Sequence, residues 1–226
     1  WDLVFLVRPF QWKDRCIPRD RYPIFYHPRY NLSACGIEKM HPFDSQKYGR
    51  IVQFLSEDHK TLNTSQLMKT SGTVARSNLL MSMSKFYLFK LNYSLLLTPI
   101  IEIPLCFLPS FITRWRVLEP MLYATQGTIE AGFAALDHKW AINLGGGYHH
   151  ASCAGGGGFC VYPDITLCIH TLRKFKSHLK KFLIIDLDAH QGNGHERDFL
   201  GDDDVFIMDV YNRYIYPGDA KARGGI

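Results

Sequence analysis

Residues 182–194 constrain the fold more than any other stretch. Phe182-Leu183-Ile184-Ile185 is a short, unbroken apolar run with two β-branched isoleucines, the pattern of a strand buried on both faces. It then breaks into Asp186, Asp188 and His190, three ligand-type residues spaced by two. In extended backbone that spacing puts all three side chains on one face, with Leu187 and Ala189 on the other. Gly192 and Gly194 follow, so the chain turns and leaves two carboxylates and an imidazole at the carboxyl end of the strand. In open α/β sheets that edge is where ligands bind. No lysine or arginine lies between Phe182 and Gly194. The positive charge this group needs must come from elsewhere, and a divalent metal is the simplest source. The plainer reading is a polar strand end with Asp186 capping a turn.

A second chemical element precedes it. Lys139–Leu144 reads as a strand, and Gly145-Gly146-Gly147-Tyr148-His149-His150 follows at once. Glycines let backbone approach a substrate and present the paired histidines, and imidazoles beside a metal suit acid–base work near neutral pH. Asp186 and Asn193 are the nearest candidates to orient them. A second glycine run, Gly155–Gly158, brings Phe159 toward the same place. Phosphate-loop, dinucleotide and serine-elbow patterns are absent.

The remaining signals frame an α/β chain. Tyr22–Tyr26 reads as a first strand. Asp44 is placed to cap a helix with Tyr48, Ile51, Val52 and Leu55 on one face. Residues 57–77 read as a polar surface excursion, Leu79–Met83 as a strand, and Phe86–Leu97 as a helix. Helices are expected over Pro120–Leu136 and from Asp164 to Leu179, then a strand over Val205–Val210. Helices alternating with strands predict a mostly parallel sheet flanked by helices. Leu95–Ile112 is the most hydrophobic stretch, but Glu102, Pro99, Pro104 and Pro109 interrupt it, so it reads as a buried wall and not a membrane span. The formal charge of +5 is mild. The basic cluster Arg173, Lys174, Lys176, Lys180 and Lys181 reads as a solvated face, with no direct nucleic-acid motif. Six cysteines without a C-x-x-C pair read as reduced thiols.

Together Trp140–His150, Gly158-Phe159-Cys160 and Ile185–Gly194 resemble the zinc-dependent histone deacetylases, and within them class IV, the histone deacetylase 11 type. Arg29-Tyr30-Asn31, His41-Pro42-Phe43-Asp44, Glu102-Ile103-Pro104, Asp209–Arg213 and Ile215–Asp219 support it. The resemblance implies an arginase-like α/β fold, with an extension over residues 1–19 and a partial catalytic domain over 20–226. It implies hydrolysis of acyl-lysine amides, acetyl or fatty acyl, on proteins such as histones. Corepressors or other deacetylases would be partners, in nucleus and cytoplasm. By motif position Asp188 and His190 would be zinc ligands and His150 the general base with His149 as its electrostatic partner. Asp186 would orient His149 and lie in a monovalent-cation (K+) site, and Asn193 would orient His150. Phe159 and Tyr216 would wall the acyl-lysine tunnel, with Gly147 near its floor and Lys47 beside an internal channel. The family's last zinc ligand, an aspartate, and its substrate-binding tyrosine would fall after residue 226. The chain therefore reads as a C-terminally truncated piece, feeble or inactive alone, and Met83 stands where relatives carry histidine. Two rival readings are an inactive, partner-binding product and a manganese ureohydrolase, the latter suggested by Asp188-Ala189-His190. The ureohydrolase wants a further carboxylate at position 192, which is glycine.

Overall fold

A computed structural model describes residues 17–225; Cys16 and nearly all of the expected N-terminal extension lie outside them. Strand β1 (Ile24–Tyr26) lies between β2 (Met68–Lys69) and β3 (Ile142–Asn143), both parallel to it. A second parallel pair joins β4 (Phe182–Asp186) to β5 (Val205–Asp209), with Ile184 opposite Ile207 and Asp186 opposite Asp209. Helices α1 (Lys47–Gln53), α2 (Arg76–Leu79), α3 (Lys85–Lys90), α4 (Ser94–Ile101) and α5 (Ser110–Thr113) come before α6 (Glu119–His138). Helix α7 (Asp164–Phe175) precedes β4, and α8 (Asn193–Asp198) follows it.

The apolar positions of α6 explain its place. Met121, Ala124, Ile129 and Phe133 are buried in the main core with Tyr30, Leu97, Ile101, Leu167 and Leu172. Ile184, Val205 and Ile207 pack with Ile169 of α7 and Phe199, just after α8, in a smaller cluster. The helices thus cover one face of the β4–β5 pair.

Several expectations change here. The β4 run is not buried on both faces: Leu183 is 60% exposed and Phe206 of β5 70% exposed. Among the described residues nothing covers that side, and the pleat sends every second side chain to it. Residues 57–77 are not only a surface excursion, because β2 and the buried Leu67, Met68 and Val74 lie within them. Leu79–Met83 is the end of a helix and a turn, its amides bonding back to Ala75, Arg76, Asn78 and Leu79. The helix over Phe86–Leu97 is two helices, separated by a turn at Leu91–Tyr93. The wall over Leu95–Ile112 is partly open: Leu97, Ile101, Ile103 and Leu105 are buried, whereas Leu95, Phe107 and Phe111 are exposed. Among the described residues, no helix is long and apolar enough to cross a membrane.

Candidate active site

The histidine pair is set by a buried carboxylate. After β3 the chain turns through Gly146 (φ 78°) and Gly147 (φ 71°), left-handed conformations that glycine adopts without strain. Asp164, wholly buried at the start of α7, accepts the amides of Gly147 (2.9 Å) and Tyr148 (2.8 Å) and the Thr128 hydroxyl (2.5 Å). Burial raises the Asp164 carboxyl above the ordinary aspartate value, against the pull of those bonds from Thr128, Tyr148 and Gly147. In the sequence Asp164 marks only the start of a helix. That its carboxylate reaches the glycine turn is a tertiary fact with no local signature.

The turn delivers His149 and His150 side by side, ring centres 4.0 Å apart and both buried. Their Nδ1 atoms have separate partners: Asp186 Oδ2 at 2.9 Å from His149 and Asn193 Oδ1 at 2.9 Å from His150. The orientation of Asn193 follows from its neighbours. Arg197 donates to Asp219 (2.6 Å), and Asn193 Nδ2 donates to the same carboxylate oxygen (3.3 Å). The amide oxygen therefore faces His150, whose Nδ1 must carry the proton and whose Nε2 is left with a lone pair. Burial first, and then the neighbouring His149, lower the His150 imidazole to about 4. His149 is the reverse: burial would lower it, but the hydrogen bond and charge of Asp186 raise it. For Asp186, burial would raise the carboxyl, and bonds from His149 and His195 hold it well below the usual range.

Asp188 and His190 lie past the end of β4, where the chain bends; Asp188 is exposed and His190 partly buried. The strand ends at Asp186, so the three ligand-type residues do not share one extended face. Asp188 Oδ1 instead accepts the amide of His190 (2.8 Å) and sits 3.0 Å from its Nδ1, a local turn that folds the imidazole back. Two ligands on a tetrahedral zinc with bonds near ~2.0–2.1 Å are separated by about 3.3 Å. The Asp188 oxygen and the His190 nitrogen, hydrogen-bonded at 3.0 Å, need to part by only about 0.3 Å to hold such an ion. The His190 ring centre is 6.0 Å from that of His150, and His149 Nε2 is 3.9 Å from Asp188 Oδ1.

The expected tunnel residues adjoin the pair. Tyr216 stands at 90° to His150, ring centres 5.0 Å apart. Phe159 is buried against Phe43 (4.8 Å) and His41 (5.1 Å). Gly147 has open space where a side chain would project. Lys47 Nζ lies 4.5 Å over the Phe43 ring. Met83 is buried in the main core. Sequence reasoning passed over His195, which is buried on α8 and bonds Asp186 Oδ2 at 2.8 Å. His149, Asp186 and His195 bring ligand-type atoms within 4.8 Å of one another.

The family model of the histone deacetylase domain matches residues 41–225. The chain belongs to the histone deacetylase family. It is 42% identical over 208 residues to Histone deacetylase 2 of Arabidopsis thaliana, covering 92% of this chain and 53% of that protein. It is 38% identical over 83 residues to the acetoin utilization protein AcuC of Bacillus subtilis, covering 36% of this chain and 21% of that one. A crystal structure of a histone deacetylase homologue complexed with SAHA superposes with a TM-score of 0.65 at 19% identity, over 91% of this chain and 57% of that one. The α/β architecture is thus the arginase-like fold of this family. The chain spans about half the length of the Arabidopsis relative and of that structure.

Proposed function

We propose that the gene product containing this chain is a zinc-dependent protein-lysine deacylase of the class IV, histone deacetylase 11-like type. One observation carries the reading: His150, its Nδ1 committed to Asn193, keeps a free Nε2 lone pair, and its ring lies 6.0 Å from that of His190, which pairs with Asp188. Asp188 and His190 would hold zinc, which supplies Lewis-acid polarisation of the acyl carbonyl. His150, neutral at physiological pH because burial lowers it to about 4, takes the proton of the attacking water at Nε2. It then returns that proton to the departing lysine amine. Asp186 fixes the ring of His149, which lies tilted against His150 with ring centres 4.0 Å apart and helps keep it neutral. Phe159 and Tyr216 would exclude water along the acyl-lysine chain, with Gly147 leaving room at the inner end.

In this reading histones or other acyl-lysine proteins are substrates, with corepressors or other deacetylases as partners in nucleus and cytoplasm. K+ would lie near Asp186, and Lys47 beside an internal channel. Glycine at position 192 leaves a ureohydrolase's second metal without its carboxylate, so that alternative is not favoured.

The test is release of acetyl and myristoyl groups from lysine peptides by the full gene product, with zinc and after chelation. The expected result is chelator-sensitive hydrolysis that His150→Ala reduces by ~10²–10⁴-fold. Hydrolysis unchanged by both treatments, or none by zinc-loaded protein on either acyl chain, would overturn the proposal.

A further inference from the structure

Asp186 accepts more bonds than a partner of His149 alone needs. Its Oδ1 takes the amide of Asp188 (3.1 Å), and Oδ2 takes both His149 Nδ1 (2.9 Å) and His195 Nε2 (2.8 Å). His195 is 1% exposed. The start of its helix is tied to the histidine pair, because the Gly194 amide donates to the His149 carbonyl at 2.8 Å.

With Nε2–H donating, Nδ1 of His195 is a bare acceptor, and it is buried with no partner. An unpaired buried acceptor costs about 1–3 kcal/mol. An apolar side chain of similar volume would fill the space without that cost, so packing does not explain an imidazole here. The bond to Asp186 does. Gly192 reinforces it: a Cβ at this position would collide with both His195 Nε2 and Asp186 Oδ2. The turn can close over the bond only with glycine there.

We propose that His195 is a positioning residue, a second imidazole donor that locks the Asp186 carboxylate and so holds His149 in its Nδ1–H form with Nε2 toward Asp188. A carboxylate with both oxygens occupied cannot turn away from His149, and the imidazole that packs against His150 keeps one tautomer and one orientation. The same three side chains could instead surround an ion. The 2.8 and 2.9 Å separations are ordinary N–H···O distances, and the Gly192 backbone occupies one side of the group. The role rests on the deacylase reading above, but its first readout does not.

The 226-residue chain, metal-free and ¹⁵N-labelled at histidine, is compared by NMR as wild type, H195Q, H195L and G192A. The readout is the exchange-protected Nδ1–H of His149, assigned by its loss in H149Q. Wild type and H195Q, whose amide nitrogen can stand in for Nε2, are expected to keep the signal. H195L and G192A are expected to lose it while the other amide resonances stay dispersed; G192A gives the answer if H195L does not fold. In the full gene product H195L is expected to lower kcat ~10–100-fold with KM unmoved, and H195Q to restore most of it. A protected signal in H195L or G192A, or equal loss in H195Q and H195L, would overturn the proposal. So would zinc abolishing the signal in a His190→Ala protein, since the ion would then sit among these three side chains. The NMR result stands whether or not the gene product hydrolyses acyl-lysine, so failures of the two proposals are distinguishable.

Discussion

Replacing Asp164 tests how the glycine turn is held. The Asp164 carboxylate is wholly buried and satisfies two backbone amides, Gly147 and Tyr148, together with the Thr128 hydroxyl. In Asp164→Ala the hydroxyl can redirect to the Ala124 carbonyl, already 3.4 Å away, but both amides lose their acceptor. At about 1–3 kcal/mol per orphaned group the cost is about 2–6 kcal/mol. Asp164→Asn keeps one oxygen. Its NH₂ must face one of the two amides, while Thr128 can rotate to accept, so one orphan remains and the cost is about 1–3 kcal/mol. With a urea dependence near ~2–3 kcal/mol per molar, the alanine variant should lower the midpoint by about 0.7–3 M and the asparagine variant by about half that. Tryptophan fluorescence against urea reads both. The cost should also appear at the site, with His149 and His150 moving because their turn is released. An alanine variant within about 0.5 kcal/mol of wild type, the range of ordinary surface changes, would show that the carboxylate does not hold the turn. A reversed order of the two variants would do the same.

Two further outcomes follow from the burial pattern. Burial pushes the thiols of Cys160 and Cys168, and burial with the Asp198 charge pushes that of Cys153, up to about 12. Cys35 and Cys106 are exposed, so brief iodoacetamide treatment of folded protein at pH 8 should label these two first among the described cysteines, as peptide mass spectrometry will show. Bonds from His149 and His195 depress the Asp186 carboxyl against the effect of burial. A depressed acid contributes stability that is present above its ordinary value of 3.8 and is lost as pH falls below it. Metal-free wild type should therefore lose more of its urea midpoint between pH 5 and pH 3 than Asp186→Asn does, and equal slopes would contradict this.

Much of the site was legible because its parts are local. Asp186, Asp188 and His190 are two residues apart, and the glycines that turn the chain stand beside the histidine pair, so composition and spacing alone bring out both clusters. The strand β4 was legible as an apolar run and α6 and α7 as periodic stripes. What escaped depends on contacts distant in sequence. Asp164 reaches back to Gly147, and His195 looks like an unremarkable polar residue on a short helix until Asp186 Oδ2 is found 2.8 Å away. Strand β2 was missed because two residues, Met68 and Lys69, have no periodicity to read. The reading of β4 as buried on both faces failed because an apolar run reports hydrophobicity and not which side a helix covers. The exposed Leu183, Ile185, Phe206 and Met208 form the kind of apolar patch that ordinarily meets other polypeptide.

In the proposed site one zinc ion belongs to Asp188 and His190, in front of His150. Anomalous diffraction at the zinc edge from zinc-soaked crystals of the protein tests it most directly. One peak is expected within ~2.0–2.2 Å of an Asp188 oxygen and a His190 nitrogen, with the His149–Asp186–His195 bonds intact. A peak among those three side chains, or none beside Asp188 and His190 at saturating zinc, would contradict it.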